Sequence, residues 1–97
     1  MPNIDPHALF IRNPAIVASS IEDETVMMNL STNSYYGLDE LGSRVWKLFD
    51  SPSSLSKLCS VLMQEYEVSS VTCHEQIAVL LEELIEETLV CPIEAPT

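Results

Sequence analysis

The sequence predicts an α+β domain of the winged helix-turn-helix class, in which a three-stranded antiparallel sheet is followed by three helices. Apolar residues alternate with polar ones in short runs between residues 15 and 38, which is typical of strands. The breaks between these runs are so short that neighbouring strands must be antiparallel. From residue 40 onward, apolar residues recur every three or four positions, which indicates helices that each bury one face.

The three strands are predicted at residues 15–21, 25–30 and 34–38. The acidic residues 22–24 form the first break, and the turn-forming residues 31–34 form the second. In the third strand, Tyr36 and Leu38 share one face, while Tyr35 and Gly37 share the other. The sequence therefore predicts a meander whose last strand runs directly into a helix.

The three helices are predicted at residues 40–49, 54–66 and 70–87. Asp39 is a good N-cap for the first helix, and Ser69 or Ser70 can cap the third. Thr72 and Glu75 have the spacing of a capping box, which offers an alternative start for the third helix. The apolar stripes of the second and third helices are predicted to be Leu55, Leu58, Cys59, Leu62 and Tyr66, and Ile77, Leu80, Leu81, Leu84 and Ile85.

The ends of the chain are predicted to lie outside the domain, which spans residues 15–90. Residues 1–14 contain three prolines, which block a helix, so we expect an extended arm held to the body by Leu9, Phe10 and Ile11. Residues 91–97 are expected to be a tail. Leu89, Val90 and Ile93 are expected to fold back before Pro92 and Pro96 end the ordered chain.

The net charge of −11 excludes several classes of partner. Nucleic acids and anionic membrane surfaces are bound mainly through Lys and Arg, and only four such residues stand against fifteen acidic ones. The acidic surface is either a solvated face or one that attracts a basic partner. No signal peptide and no apolar run of membrane-spanning length is present, and the three cysteines match no zinc pattern. These features indicate a cytoplasmic protein.

The sequence offers no group of residues suited to catalysis, so we expect no enzyme activity, no metal and no cofactor. Its two histidines are His7, in the arm, and His74, which adjoins Cys73 on a helix. Adjacent helical residues point about 100° apart, so this pair is poorly aimed for a nucleophile and its base. The two glycines cannot form a phosphate-binding loop.

The third strand contains neither lysine nor proline, which usually blunt an exposed sheet edge. Either the arm or the third helix covers this edge, or the edge is kept open to accept a peptide as an added strand. Added backbone hydrogen bonds would give affinity, and specificity would come from pockets between the strand and the third helix.

The run Tyr36-x-Leu38-x-x-x-Gly42-x-x-x-Trp46, with weaker matches at Tyr66-Glu67-Val68 and Leu89-Val90, resembles the PqqD-like family. Its members are the peptide chaperones of pyrroloquinoline-quinone biosynthesis and related recognition elements for ribosomally made, modified peptides. The resemblance covers about residues 15–90. Asp39 stands where an Asn is expected, and Thr88 stands where a Gly is expected, which leaves the end of the third helix open.

The resemblance implies a non-catalytic winged-helix protein that binds the leader segment of a precursor peptide by strand addition. A free-standing copy of this size is similar to the leader-binding subunit of lasso-peptide biosynthesis, which implies a leader-cleaving cysteine protease, and possibly a cyclase, as partners. The residues expected to contact the leader are Ser34, Tyr35, Tyr36, Gly37 and Leu38 on the strand, and Ala78, Leu81, Glu82 and Ile85 on the third helix. Periodicity leaves open which flank of that helix faces the strand, and Trp46 is expected in the core.

Three other interpretations fit parts of the sequence. An acyl or peptidyl carrier protein is also small and acidic, but its Asp-Ser-Leu attachment motif is absent. A winged-helix transcription factor fits the architecture and is opposed by the charge. A generic protein–protein adaptor without a peptide groove fits both.

Overall fold

In a computed structural model that describes residues 4–93, the chain forms two antiparallel sheets and three helices. In chain order these are β1 (Phe10–Arg12), β2 (Ile16–Ile21), β3 (Glu24–Asn29), β4 (Ser34–Leu38), α1 (Glu40–Leu48), α2 (Leu55–Glu65), α3 (Ser70–Glu86) and β5 (Val90–Pro92). The predictions made for Pro2 and for residues 94–97 lie outside the described residues. The α+β class, the three-stranded antiparallel sheet and the three helices are confirmed.

The predicted meander is the sheet β2-β3-β4, with β3 in the middle. Ile16 pairs with Asn29 and Ile21 with Glu24 across the first hairpin, and Thr25 pairs with Leu38 across the second. The inner face of β3 carries Thr25, Met27 and Asn29, which are all buried. The more apolar face of β3 points away from the helices.

A second sheet joins the two ends of the described chain, because β1 pairs with β5. The residues of β1 lie inside the predicted arm, and β5 crosses the predicted boundary at residue 90, so both contribute to the folded body. Phe10 is buried as expected, whereas Leu9 and Ile11 are exposed. Phe10 also exchanges two backbone hydrogen bonds with Ser53, at 2.9 and 3.1 Å, which fixes β1 against the loop before α2. The predicted fold-back of the chain after α3 is therefore present. Pro92 lies within β5, so it does not end the ordered chain.

Each helix begins at a capping side chain that the sequence supplies. Asp39 Oδ1 accepts a hydrogen bond from Gly42 N, Ser54 Oγ from Lys57 N, and Ser69 Oγ from Thr72 N. The start of α3 at Ser69 is thus the one used, and the alternative start at Thr72 is not. The buried residues of α2 and α3 are Leu55, Leu58, Cys59 and Leu62, and Cys73, Ile77, Leu81 and Leu84.

Trp46 and Tyr66 were both expected to be buried, and the structure buries only Trp46. Trp46 is buried as expected, and the Arg12 guanidinium lies 4.8 Å from the centre of its ring. Tyr66 was expected to continue the buried stripe of α2, but it is exposed because α2 ends at Glu65 and Tyr66 has extended backbone angles.

A buried chain of hydroxyl groups ties the sheet to α1. Thr25 Oγ1 donates to Ser43 Oγ at 2.8 Å, and Ser43 Oγ donates to the carbonyl of Leu38 at 3.3 Å. Both side chains are almost fully buried. The chain therefore fixes the first turn of α1 to β3 and to the last residue of β4.

The end of α3 has the hydrogen bonds of a Schellman motif. Leu89 N donates to the Leu84 carbonyl at 2.8 Å, and Thr88 N donates to the Ile85 carbonyl at 3.0 Å. Thr88 lies between them in the left-handed region, with φ of 55°, a conformation in which glycine is strongly preferred to a β-branched residue. This geometry explains why glycine is expected at position 88, and the threonine adopts it at some cost in stability.

We expect Thr88→Gly to stabilise the protein by about 0.5–1 kcal/mol. Relief of the left-handed strain contributes about 1–2 kcal/mol, from which the greater freedom of glycine in the unfolded chain subtracts about 0.4–1 kcal/mol. Urea denaturation measures the difference. Thr88→Ala, which keeps a Cβ, should gain clearly less than Thr88→Gly, and a glycine variant less stable than the parent would contradict the assignment.

We expect Thr25→Val and Ser43→Ala each to lower the free energy of unfolding by about 1–3 kcal/mol, because each removes a buried hydrogen bond and Ser43→Ala leaves the Thr25 hydroxyl unpaired. The double variant should lose less than the sum of the two, by at least about 0.5 kcal/mol. Strictly additive losses would show that the two hydroxyls are not coupled.

Candidate functional site

The outer edge of β4 has no neighbouring strand within residues 4–93, because β4 ends the order β2-β3-β4. Ser34, Tyr35 and Gly37 are exposed, Tyr36 is half-buried and Leu38 is buried. Apart from Gly37 itself and its chain neighbours, no atom lies within 4 Å of the position that a Cβ on Gly37 would occupy, so the face of the strand is open there. β4 therefore presents unpaired backbone groups to solvent along its outer side.

The outer edge of β2 is also unpaired within the described chain, and a cleft lies beside β4. This cleft, which we call the strand cleft, has a volume of about 150 Å³. Its lining residues are Asn29, Thr32, Ser34, Tyr35 and Tyr36 on the side of the sheet, and Glu86, Glu87, Thr88 and Leu89 at the end of α3.

Tyr36 lies between the sheet and α3. Burial, and then the negative charges of Glu83 and Glu87, raise the pKa of the Tyr36 phenol above its ordinary value of 10.0. Glu83 and Glu87 are one helical turn apart, so both lie on the flank of α3 that faces β4. The wall opposite the open strand is therefore acidic at its C-terminal end.

A second and larger cavity, which we call the corner cavity, lies where β4 runs into α1. Its volume is about 430 Å³, and its lining combines the corner with the facing ends of α2 and α3: Asp39, Glu40, Leu41, Leu62, Tyr66, Val68, Cys73, Gln76 and Ile77. Most of these side chains are apolar or aromatic on the side that meets the cavity. Such a cavity suits an apolar side chain of a ligand.

The buried floor of the corner cavity includes the Cys73 thiol, which lies beside Cys59. Burial, followed by a hydrogen bond with Cys73 and the charge of that group, raises the pKa of Cys59 to about 12. Cys59 is thus a neutral thiol near neutral pH, and it packs as a small apolar residue.

The two cavities lie at opposite ends of β4, and this fixes the direction of α3. The N-terminal end of β4 adjoins residues 86–89, and its C-terminal end adjoins residues 73–77. α3 therefore runs antiparallel to β4. The stretch from Cys73 to Glu87 is about 21 Å long in an α-helix, and five extended residues span about 17 Å, so the helix is long enough to run the length of the strand.

The structure brings together the five predicted residues of β4, but it places the four predicted residues of α3 elsewhere. Leu81 is fully buried, so it lies on the side of α3 that packs against the core. Ala78, Glu82 and Ile85 are half-buried and lie about 150° around the helix axis from Gln76, Glu83 and Glu87. The flank beside β4 thus carries residues that the sequence analysis did not select, and peptide contact by the four selected residues stays a prediction.

The described residues contain neither a membrane-spanning helix nor a group of metal-ligating side chains. Within residues 4–93, no helix is both long and apolar enough to cross a membrane. In the same part of the chain, no three His, Cys, Asp or Glu side chains are grouped so that they could hold a metal ion. That the protein works without metal or cofactor stays a prediction.

Comparison with known proteins gives one family and two solved structures. The family described as "Coenzyme PQQ synthesis protein D (PqqD)" matches residues 24–90. The chain is similar to a structure described as "TbiB1 in Complex with the TbiA(beta) Leader Peptide", with 28% identity and a TM-score of 0.80, covering 88% of this chain and 99% of that one. A second, described as "Lasso peptide synthetase B1 complexed with the leader peptide", has 24% identity and a TM-score of 0.73 and covers 86% and 98%, which supports the fold alone. No curated protein sequence matches.

We expect Glu83→Gln and Glu87→Gln each to lower the pKa of Tyr36, because each removes a negative charge that disfavours the phenolate. The pKa should stay above 10.0, since burial remains its main cause. Titration of the tyrosine ring carbons by NMR, assigned with Tyr36→Phe, measures the change. Glu75→Gln, on an exposed part of α3 away from β4, is the control and should leave Tyr36 unchanged. Equal shifts in all three variants would contradict the placement of Tyr36.

Proposed function

The chain belongs to the PqqD family, and from this premise we propose that it binds the leader segment of a precursor peptide as a strand added to β4, without performing chemistry itself. The open edge of β4, with a cleft between it and the C-terminal end of α3, is the observation that carries this proposal. A peptide strand there would make the sheet four-stranded and would satisfy backbone groups that now face solvent. The 28% identical structure, which is described as a complex with a leader peptide, supports it.

The energy of such a complex cannot come from backbone hydrogen bonds alone. Four or five bonds at a net 0.5–1.5 kcal/mol each give about 2–7 kcal/mol, whereas a micromolar Kd requires about 8 kcal/mol after the cost of association. Burying one leucine-sized side chain adds about 1.5–3 kcal/mol. The corner cavity is a mainly apolar space that begins where β4 ends, so we propose that it holds an apolar anchor of the leader.

The position of the corner cavity also constrains the leader. The cavity begins where β4 ends, at Asp39, and reaches Val68 and Gln76. The anchor must therefore lie just beyond the segment that pairs with Ser34–Leu38. At the other end, Glu86 and Glu87 border the strand cleft, which favours a leader without acidic residues there.

We further propose that a leader-cleaving cysteine protease, and possibly a cyclase, act on the peptide held by this chain in the cytoplasm. The resemblance of the sequence to the leader-binding subunit of lasso-peptide biosynthesis implies this partner class. The three cysteines are free thiols, which is typical of a reducing compartment.

A scan of peptides methylated at single backbone nitrogens tests strand addition. The probes are the TbiA(beta) leader and, where a precursor gene adjoins the gene of this chain, the leader that it encodes. We expect a Kd in the micromolar range or tighter, about ten-fold weakened by methyl groups at alternate positions of the paired segment, because alternate N–H groups of a strand face its neighbour. Calorimetry measures the binding.

The intervening positions of the same peptides are the control, since their N–H groups point away from β4. Hydrogen exchange should slow at amides of Ser34–Leu38 when the peptide binds, and not at those of β2. Tolerance of methylation at every position, or failure of both peptides to bind, would contradict the proposal and favour the adaptor without a peptide groove.

A further inference from the structure

The strand cleft contains a buried amide group that backbone pairing of a peptide with β4 does not use. Asn29, the last residue of β3, lines the strand cleft and is only 5% exposed. Its Oδ1 accepts hydrogen bonds from the backbone nitrogens of Ser31, at 2.9 Å, and Thr32, at 3.3 Å. Both partners are N–H donors, so the atom that faces them must be the oxygen of the amide and not its nitrogen.

The Nδ2 group of Asn29 is left without a partner, because it donates no hydrogen bond to any residue between 4 and 93. A polar group that is nearly buried is usually hydrogen-bonded, and leaving it unpaired costs free energy. The strand cleft is the space from which a ligand can reach this group. Its volume of about 150 Å³ corresponds to about five water molecules at roughly 30 Å³ each, so a short side chain fits.

We propose that the strand cleft is a subsite for a carboxamide side chain of the leader, a glutamine or an asparagine, and that Asn29 recognises it. This inference rests on the proposed function of β4. Asn29 Nδ2 donates to the oxygen of the leader amide, and the N–H groups of that amide face the carboxylates of Glu86 and Glu87, which line the same cleft. The leader is then bound by a polar side chain at one end of β4 and by an apolar one at the other.

Strand pairing places a leader side chain within reach of Asn29. Asn29 pairs with Ser34, so an added strand puts a leader residue next to Ser34 in the same row and on the same face of the sheet. The Cα atoms of Asn29 and of that residue are then two strand spacings, about 10 Å, apart. The Asn29 side chain spans about 3.5 Å and a hydrogen bond about 2.9 Å, which leaves the reach of a second amide side chain. The leader backbone itself is too far away to pair with Asn29.

The surroundings of Asn29 favour an amide over other side chains. A carboxylate is repelled by Glu86 and Glu87 and by the negative end of the α3 dipole. A lysine or arginine cannot accept a hydrogen bond from Asn29, and its pairing with Glu86 and Glu87, which are exposed, contributes little. An apolar side chain displaces the water that Nδ2 contacts in the free protein and leaves that group unpaired.

A set of leader peptides tests this subsite on the parent chain. The scaffold is the TbiA(beta) leader, in which each position of the paired segment carries Gln, Met, Glu or Lys in turn. Met has nearly the shape of Gln without its polar atoms, and Glu has the shape of Gln with a negative charge. At one position we expect Gln to bind at least about five-fold more tightly than Met or Lys and at least about ten-fold more tightly than Glu, measured by calorimetry.

Asn29→Asp assigns this preference to Asn29, with Asn33→Asp as the matched control. The new carboxylate still accepts from the backbone nitrogens of Ser31 and Thr32, but it has no N–H group to donate. Asn33 is in the same turn, is exposed and lies outside the lining of the strand cleft, so its variant has the same change of charge. We expect Asn29→Asp to reduce the preference for Gln over Met to less than about two-fold and to favour Lys over Gln, whereas Asn33→Asp keeps the preferences of the parent chain.

NMR gives a direct measurement of the contact. The side-chain amide signals of Asn29, assigned by their loss in Asn29→Asp, should shift when the Gln peptide binds, and they should shift less with the Met peptide. Thermal unfolding checks that each variant is folded. The peptide series is measured on the parent chain, so it decides the question even if Asn29→Asp does not fold.

Equal affinities of the Gln and Met peptides at every position of the paired segment would overturn the inference, as would a preference for Gln that persists in folded Asn29→Asp. Tightest binding of a Lys peptide to the parent chain would also overturn it, because the strand cleft would then be a cation site. In these cases the leader still binds and the proposed function stands. Failure of every leader peptide to bind the parent chain would instead refute the proposed function, and the amide subsite with it.

Discussion

The direct corner between β4 and α1 is the constraint on which the rest of the structure depends. Leu38 ends the strand and Glu40 begins the helix, so Asp39 must both leave the sheet and cap α1. Gly42 makes this possible, because a Cβ at that position would lie only 3.1 Å from the Leu38 side chain. After this corner the chain cannot return at once to pair with β4. The outer edge of the strand is thus left open by the covalent path of the chain.

The same corner sets the geometry of the candidate site. The hydroxyl chain from Thr25 through Ser43 to the Leu38 carbonyl holds α1 at a fixed angle to the sheet. The first residues after β4 then form one side of the corner cavity, and α2 and the start of α3 form the other. An apolar space therefore adjoins the C-terminal end of the open strand, where the proposed peptide could use both. Backbone pairing alone would give little discrimination among peptides, so in the proposed complex this cavity would supply selectivity.

Much of the fold could be predicted because its signals are local. Alternation marks the three strands of the meander, and the side chains of Asp39 and Ser69 mark helix starts that the structure confirms. The β1–β5 pair escaped prediction because strands of three residues show no period and are far apart in the sequence. The sequence could not show which flank of α3 lies beside β4, because each flank carries a half-buried apolar residue, Leu80 on one and Ile85 on the other. Cavities that join three elements depend on their relative placement, which no local pattern encodes.

The acidity of the chain is best understood together with its open sheet. The edge strands of the three-stranded sheet, β2 and β4, lack lysine and proline, the usual protection against pairing with another copy. Protection by such residues at β4 would also block a peptide, since it acts on the edge itself. Net charge acts differently, because its repulsion grows with the charge of the approaching molecule. A second copy brings a charge of −11 and is repelled, whereas a short neutral or basic peptide is not. The negative charge therefore keeps the edge available to a peptide while it opposes association between copies.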